Sequence, residues 1–125
     1  MPSDGLINLP SPYSVPETAD RLQRLLVAKG MKIFARIDQA AEAAAVGLTL
    51  RPTILLLFGN PKAGTPLMDQ FPSLAIDLPL KALIWETSDK KVCLTYTSPE
   101  YLQQRHHLPM TPFAPVADLL TTALT

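Results

Sequence analysis

The residues best suited to chemistry lie in one loop. The stretch FGNPKAGTPL follows the apolar run TILLLF and gathers Gly59, Asn60, Lys62, Gly64 and Thr65. Glycine permits positive φ and lets a backbone approach a ligand closely. A loop that leaves the end of a buried strand for a helix N-terminus is where α/β folds often place ligands. The helix start adds unpaired N–H groups and partial positive charge. Lys62 adds a full charge, and Asn60 and Thr65 add directed hydrogen bonds. The chemistry so described is recognition of a small anionic or polar molecule. Gly59 and Gly64 keep the G-x-x-x-x-G spacing of a phosphate loop, but Thr65-Pro66 stands where such a loop carries Lys-Ser/Thr. Pro61 and Pro66 each remove an N–H donor from any cradle. Nucleotide hydrolysis is excluded on these grounds. The same residues also describe a rigid strand-to-helix corner with Lys62 solvated.

Other chemistry-bearing residues are scattered. Arg36 and Asp38 sit two apart at the end of a strand, so they share a face. Asp38 could act as a general base held by Arg36 or joined by His107, or it could cap the next helix. His106 and His107 are adjacent, and helix neighbours point about 100° apart, which makes a poor metal pair. No H-x-x-x-H, H-E-x-x-H or paired C-x-x-C occurs, so neither a metal nor a cofactor is expected. A histidine at a helix C-terminus suits the dipole there. Cys93 could be a nucleophile with either histidine, or a structural thiol. Trp85 and Tyr96 could line an apolar pocket or a dimer surface, or pack across a hairpin. Asp77 and Lys81 flank Pro79 and could reach the same sheet end as the loop.

The elements that must position these groups follow from periodicity and punctuation. Gly5 to Leu9 reads as a strand ended by Pro10 and Pro12. Ser14-Val15-Pro16-Glu17 is a capping box, and Val15, Ala19, Leu22 and Leu26 recur at helical spacing up to the stop at Gly30. The helix is expected over Val15 to Lys29. In MKIFARI, Met31, Ile33, Ala35 and Ile37 alternate with polar or larger residues, as in a half-buried strand. Asp38 then caps QAAEAAAV, which Gly47 stops. Thr53 to Phe58 reads as a central strand buried on both faces. Thr65 and Pro66 open a short helix, with Leu67, Phe71 and Leu74 at helical spacing. Lys81 to Glu86 and Lys91 to Thr97 form a hairpin. Ser98-Pro99-Glu100 opens a helix through His106, and Thr111-Pro112 opens a last one with a stripe of Val116, Leu119, Leu120 and Ala123. The order is β-α-β-α-β-α-β-β-α-α. It predicts an α/β domain, a mixed sheet with some parallel pairing covered by helices.

Bulk properties narrow the function. The 125 residues suit one domain, here residues 1–125, and 47% hydrophobic content supports a real core. Eleven basic and eleven acidic residues cancel, with no basic block. Nucleic acid is therefore not an expected partner, since phosphate neutralisation needs a basic footprint. Cys93 is the single cysteine, so no intramolecular disulfide forms. No apolar run approaches the ~20 residues that span a bilayer. The N-terminus MPSDGLINLP lacks a basic region followed by an apolar one. No membrane role is expected, and a cytoplasmic location is.

Several segments carry a resemblance. GLINLPSPYSVPETADRLQRLLVAKG, FARID, LRPTILLLFGNPKAGTPLM, IDLPLKALIWE and SPEYL with its following RH together resemble the domain of unknown function 302 family, over about residues 5–120. The segment FGNPKAGTPLM is the most specific. The resemblance implies a compact α/β domain that forms a homodimer, with no established biochemical activity. Many members resemble RIDH where this sequence has Arg36-Ile37-Asp38-Gln39, so Gln39 stands in place of a histidine. That removes a candidate ligand or proton-transfer group beside Asp38. The loop follows the family pattern, so Gly59, Asn60, Lys62, Gly64 and Thr65 are the residues it implies as a site. Three roles follow: a small-ligand-binding domain using this loop, a dimeric interaction module, or an enzyme using Asp38 with Arg36 or His107.

Overall fold

The first helix starts where its own sequence directs. In the computed structural model, which describes residues 4–125, Ser14 Oγ accepts the Glu17 N–H at 3.2 Å. Pro16 occupies the first turn, where it removes no needed donor. This helix, α1, spans Val15–Ala28 and buries Val15, Ala19, Leu22 and Leu26 on one stripe. Asp38 caps α2 (Gln39–Ala45) by accepting the Ala41 N–H at 2.9 Å. The remaining elements are β1 (Leu6–Ser11), β2 (Lys32–Asp38), β3 (Thr53–Gly59), α3 (Pro61–Gln70), a 3-10 helix (Pro72–Ile76), β4 (Leu80–Glu86), β5 (Val92–Thr97), α4 (Pro99–His106) and α5 (Ala114–Ala123). Together they form a single α+β domain in the order the sequence predicts.

The sheet runs β1-β5-β4-β3-β2, and every neighbouring pair is antiparallel. The parallel pairing expected from helix-linked strands is therefore absent among the described strands. The reason lies in what the helices do. Among the described residues only α1 makes a full crossover, and it joins strands at opposite edges of the sheet. The helices α2 and α3 bury no residue and serve as excursions between adjacent antiparallel strands.

One face of the sheet holds the core. Ile54, Leu56 and Phe58 of β3, Ala82 and Ile84 of β4, and Leu94 of β5 pack against α1 and against Val116, Leu120 and Ala123 of α5. Each fully buried large apolar side chain contributes about 1.5–3 kcal/mol. The central strand β3 alternates between buried and half-buried positions, rather than being buried on both faces as its apolar run suggests. Its other face carries Leu55 and Leu57, beside Leu83 and Trp85 of β4, all half-buried.

Two local features depart from the sequence reading. β1 continues through Pro10, which lies opposite Cys93 on an edge strand, where a missing N–H is tolerated. β2 carries a bulge between Ile33 and Ala35. Ile33 pairs with core-facing Phe58, whereas Ala35 and Ile37 pair with Leu57 and Leu55 on the opposite face. The bulge thereby turns Arg36 toward the helices and leaves Phe34 as the unpaired extra residue.

Candidate functional site

Three of the five loop residues singled out from the sequence, Gly59, Asn60 and Gly64, line a cavity. Asn60, the last residue before α3, accepts the Lys62 N–H on its Oδ1 at 3.0 Å, and Pro61 follows as the first helical residue. α3 therefore starts at Pro61, five residues before the Thr65-Pro66 start expected, and Pro66 falls inside it. Both stretches present a capping side chain followed by proline, and the earlier one takes the helix. Gly59 and Gly64 have no positive φ, so neither glycine is required by backbone conformation. A side chain at Gly64 would meet Leu78 Cδ1 at 3.7 Å, and one at Gly59 would meet Phe34 Cε2 at 3.7 Å.

The cavity measures about 390 Å³. Gly59, Asn60 and Gly64 line it together with Phe34 from the β2 bulge, Leu78 and Phe113. Asn60 supplies the one polar side chain in this wall. Lys62 and Thr65 are exposed and lie outside the wall. The first N–H groups of α3 are already engaged: that of Lys62 by the Asn60 side chain, and those of Ala63 and Gly64 by the Asn60 carbonyl at 3.0 and 2.8 Å. The helix start therefore holds no ready anion cradle.

A second cavity of about 320 Å³ adjoins the first, with Leu80, Phe113 and Val116 in both walls. Asp77, Lys81, Tyr96 and Thr97 contribute its polar groups. Burial pushes the Tyr96 phenol above its ordinary value of 10.0, and the negative charges of Glu100 and Asp118 push the same way. The linker around Pro79 thus reaches the sheet end that carries the loop.

The catalytic candidates are not brought together. Arg36 donates to Asp20 at 2.7 Å and to Gln23 at 3.2 Å, both on α1, because the bulge turns it there. Asp38 is engaged as the cap of α2. His107 closes α4 in the left-handed region at φ 55, and no hydrogen bond or ion pair among the described residues joins it to either. An Asp38 site with Arg36 or His107 is therefore not assembled. Cys93 lies on the sheet face away from the core, its Sγ 3.9 Å from Asn8 Oδ1 and 3.8 Å from Thr95 Oγ1, and not beside a histidine. No group of three metal-ligating side chains occurs among the described residues.

His106, not His107, has the partners. Its Nε2 lies 2.5 Å from Asp77 Oδ2, and its Nδ1 lies 2.9 Å from Ser73 Oγ. The imidazole is 3% exposed, and Arg105 approaches the other Asp77 oxygen at 3.6 Å. The pairing escapes a sequence reading because Asp77 and His106 stand 29 residues apart. The usable signals are a histidine at a helix end and an acid two residues before Pro79.

Comparison with known proteins bears on this architecture. A crystal structure of an uncharacterised conserved DUF302 protein from Bacillus stearothermophilus superposes with a TM-score of 0.79. It covers 96% of this chain and 95% of that one at 17% identity, which establishes the shared fold. Two curated proteins, each named Fluoride-specific ion channel FluC 1, from Brucella suis and Brucella abortus, are 44% identical to this chain over 104 residues. Those residues make up 83% of this chain but 41% and 38% of the two channels, so the chain spans about two-fifths of their length. No helix among the described residues is long and apolar enough to cross a membrane. The family model described as Domain of unknown function DUF302 matches residues 7–125, and with the shared fold this places the chain in that family.

Proposed function

We propose that this protein binds a small amphipathic molecule at the loop of residues 59–65. The apolar body sits in the cavity of about 390 Å³, and the polar or anionic end meets Asn60 and the nearby charge of Lys62. The observation that carries this reading is the cavity itself, an apolar wall with one polar side chain at its loop edge. Sites for small molecules have this composition, and their volumes begin at about 300 Å³. The fluoride channels are similar to this chain over a minority of their length, and this supports assigning ion conduction to their unmatched part.

Thermal unfolding with decanoic acid and decanol tests this reading. Both should raise the melting temperature, the acid more than the alcohol. Lys62→Ala should remove the difference and leave the alcohol's effect. No stabilisation by either compound would overturn the reading.

A second reading concerns self-association through the sheet. Leu55, Leu57, Leu83 and Trp85 form an adjoining half-exposed apolar patch on the face away from α1 and α5. Such a face favours a second copy of the chain, since stable interfaces bury on the order of 1,000 Å² or more. Sedimentation velocity at micromolar concentration decides it, with a monomer as the contradicting result.

A further inference from the structure

Ser73, His106 and Asp77 form a hydrogen-bonded series with a direction. The Asp77 carboxylate accepts hydrogen bonds, so the contact at 2.5 Å places the ring proton on His106 Nε2. Nδ1 is then the acceptor, and the Ser73 hydroxyl donates to it at 2.9 Å. The base is buried, while the serine is exposed on the 3-10 helix. This is the order of a nucleophile, its general base and the group that orients the base. A purely structural tie would not require the hydroxyl to be the exposed end.

Substrate chemistry follows from what stands beside Ser73. Side chains three apart in a 3-10 helix eclipse, so Ser73 and Ile76 share a face. Ile76 is 72% exposed, and with Asp77 it walls the cavity of about 320 Å³. Leu80, Leu102 and Leu120 give the rest of the wall an apolar part for an acyl chain, beside the polar Lys81, Tyr96 and Thr97.

The geometry points to Ser73 as an acyl-accepting nucleophile that acts on esters of short apolar acids, with His106 as general base and Asp77 as a positioning residue. Ser73 Oγ bonds to the ester carbonyl carbon as its proton passes to His106 Nδ1. The carbonyl–alkoxy bond then breaks, and the alcohol leaves with that proton. Water, losing a proton to Nδ1, adds to the acyl-serine. The acid departs as the proton returns to Ser73 Oγ. The balance is ester plus water giving acid plus alcohol, with no further reactant.

The test uses p-nitrophenyl butyrate with the full chain, following nitrophenolate release and the intact mass after denaturation. The expected result is a single butyryl adduct mapped to Ser73, absent in Ser73→Ala. Asp77→Asn should lower the acylation rate at least tenfold, because the neutral amide no longer stabilises the imidazolium that forms when Nδ1 takes the serine proton. The exposed Ser73 can be changed without disturbing the core, so folding does not obscure the result. Nitrophenolate release no faster than from Ser73→Ala, or an adduct that survives Ser73→Ala, overturns the proposal. An undiminished rate in Asp77→Asn overturns the role of Asp77.

Discussion

Asp77 and His106 meet at 2.5 Å although 29 residues separate them, and they tie the linker before β4 to the end of α4. The contact seals a ring that is 3% exposed. Removing its acceptor leaves a buried N–H without a partner. Asp77→Ala should therefore cost about 1–3 kcal/mol of stability. Asp77→Asn keeps an accepting oxygen and should cost less. Urea unfolding of the two variants and the parent gives the ranking.

Two glycines should respond in opposite directions. Gly5 has φ +77, and an added Cβ would lie 2.6 Å from the Tyr101 ring. Gly5→Ala should destabilise by more than about 1 kcal/mol. Gly64 lies within α3 without positive φ, and an added Cβ would make an ordinary contact with Leu78. Gly64→Ala should stabilise by about 0.5–1 kcal/mol. Thermal denaturation of both variants reads the signs directly.

The contrast shows what the sequence could convey. Gly30 and Gly47 are helix stops with φ +82 and +80, as their positions after apolar-periodic runs indicate. Local signals of this kind also placed the Ser14 and Asp38 caps and the β4–β5 hairpin. Long-range partners were not legible. The pairing of Leu6 with Thr97 places β1 beside β5, and nothing local in either segment specifies it. The β2 bulge flipped the faces of Ala35, Arg36 and Ile37, because one extra residue inverts a period of two. The loop was identified as a site by its glycines, yet its cavity is made by Phe34, Leu78 and Phe113 from distant segments.

Tyr96 should make the fold sensitive to alkali. Its phenol ionises above 10.0 in the folded chain because burial disfavours the anion. Below the unfolded value both states hold the proton, and Tyr96 adds no pH dependence. Above it the unfolded chain loses the proton first, so stability falls as pH rises toward the folded value. Tyr96→Phe should flatten the decline between about pH 9 and about pH 11. Urea midpoints at the two pH values test the sign.

Self-association through the open sheet face should fail when a charge is placed on it. Leu83 is half-exposed beside Leu55, so Leu83→Arg can solvate in the single chain. In a dimer it would bury an unpaired charge. Leu83→Arg should sediment as a monomer at concentrations where the parent is a dimer. A dimer that withstands the change would place the interface elsewhere.

The cavity beside the loop is the centre of the account, and filling it is the most direct test. Gly64→Leu puts a side chain into the wall at a position where the helix accepts one, and far-ultraviolet circular dichroism verifies that the fold persists. The measurement is a fluorescence titration with 1-aminoanthracene, a neutral apolar probe. The account predicts saturable binding of one probe per chain to the parent and at least a tenfold loss of affinity in Gly64→Leu. Equal affinity in the two proteins, or no saturable binding to the parent, would contradict it.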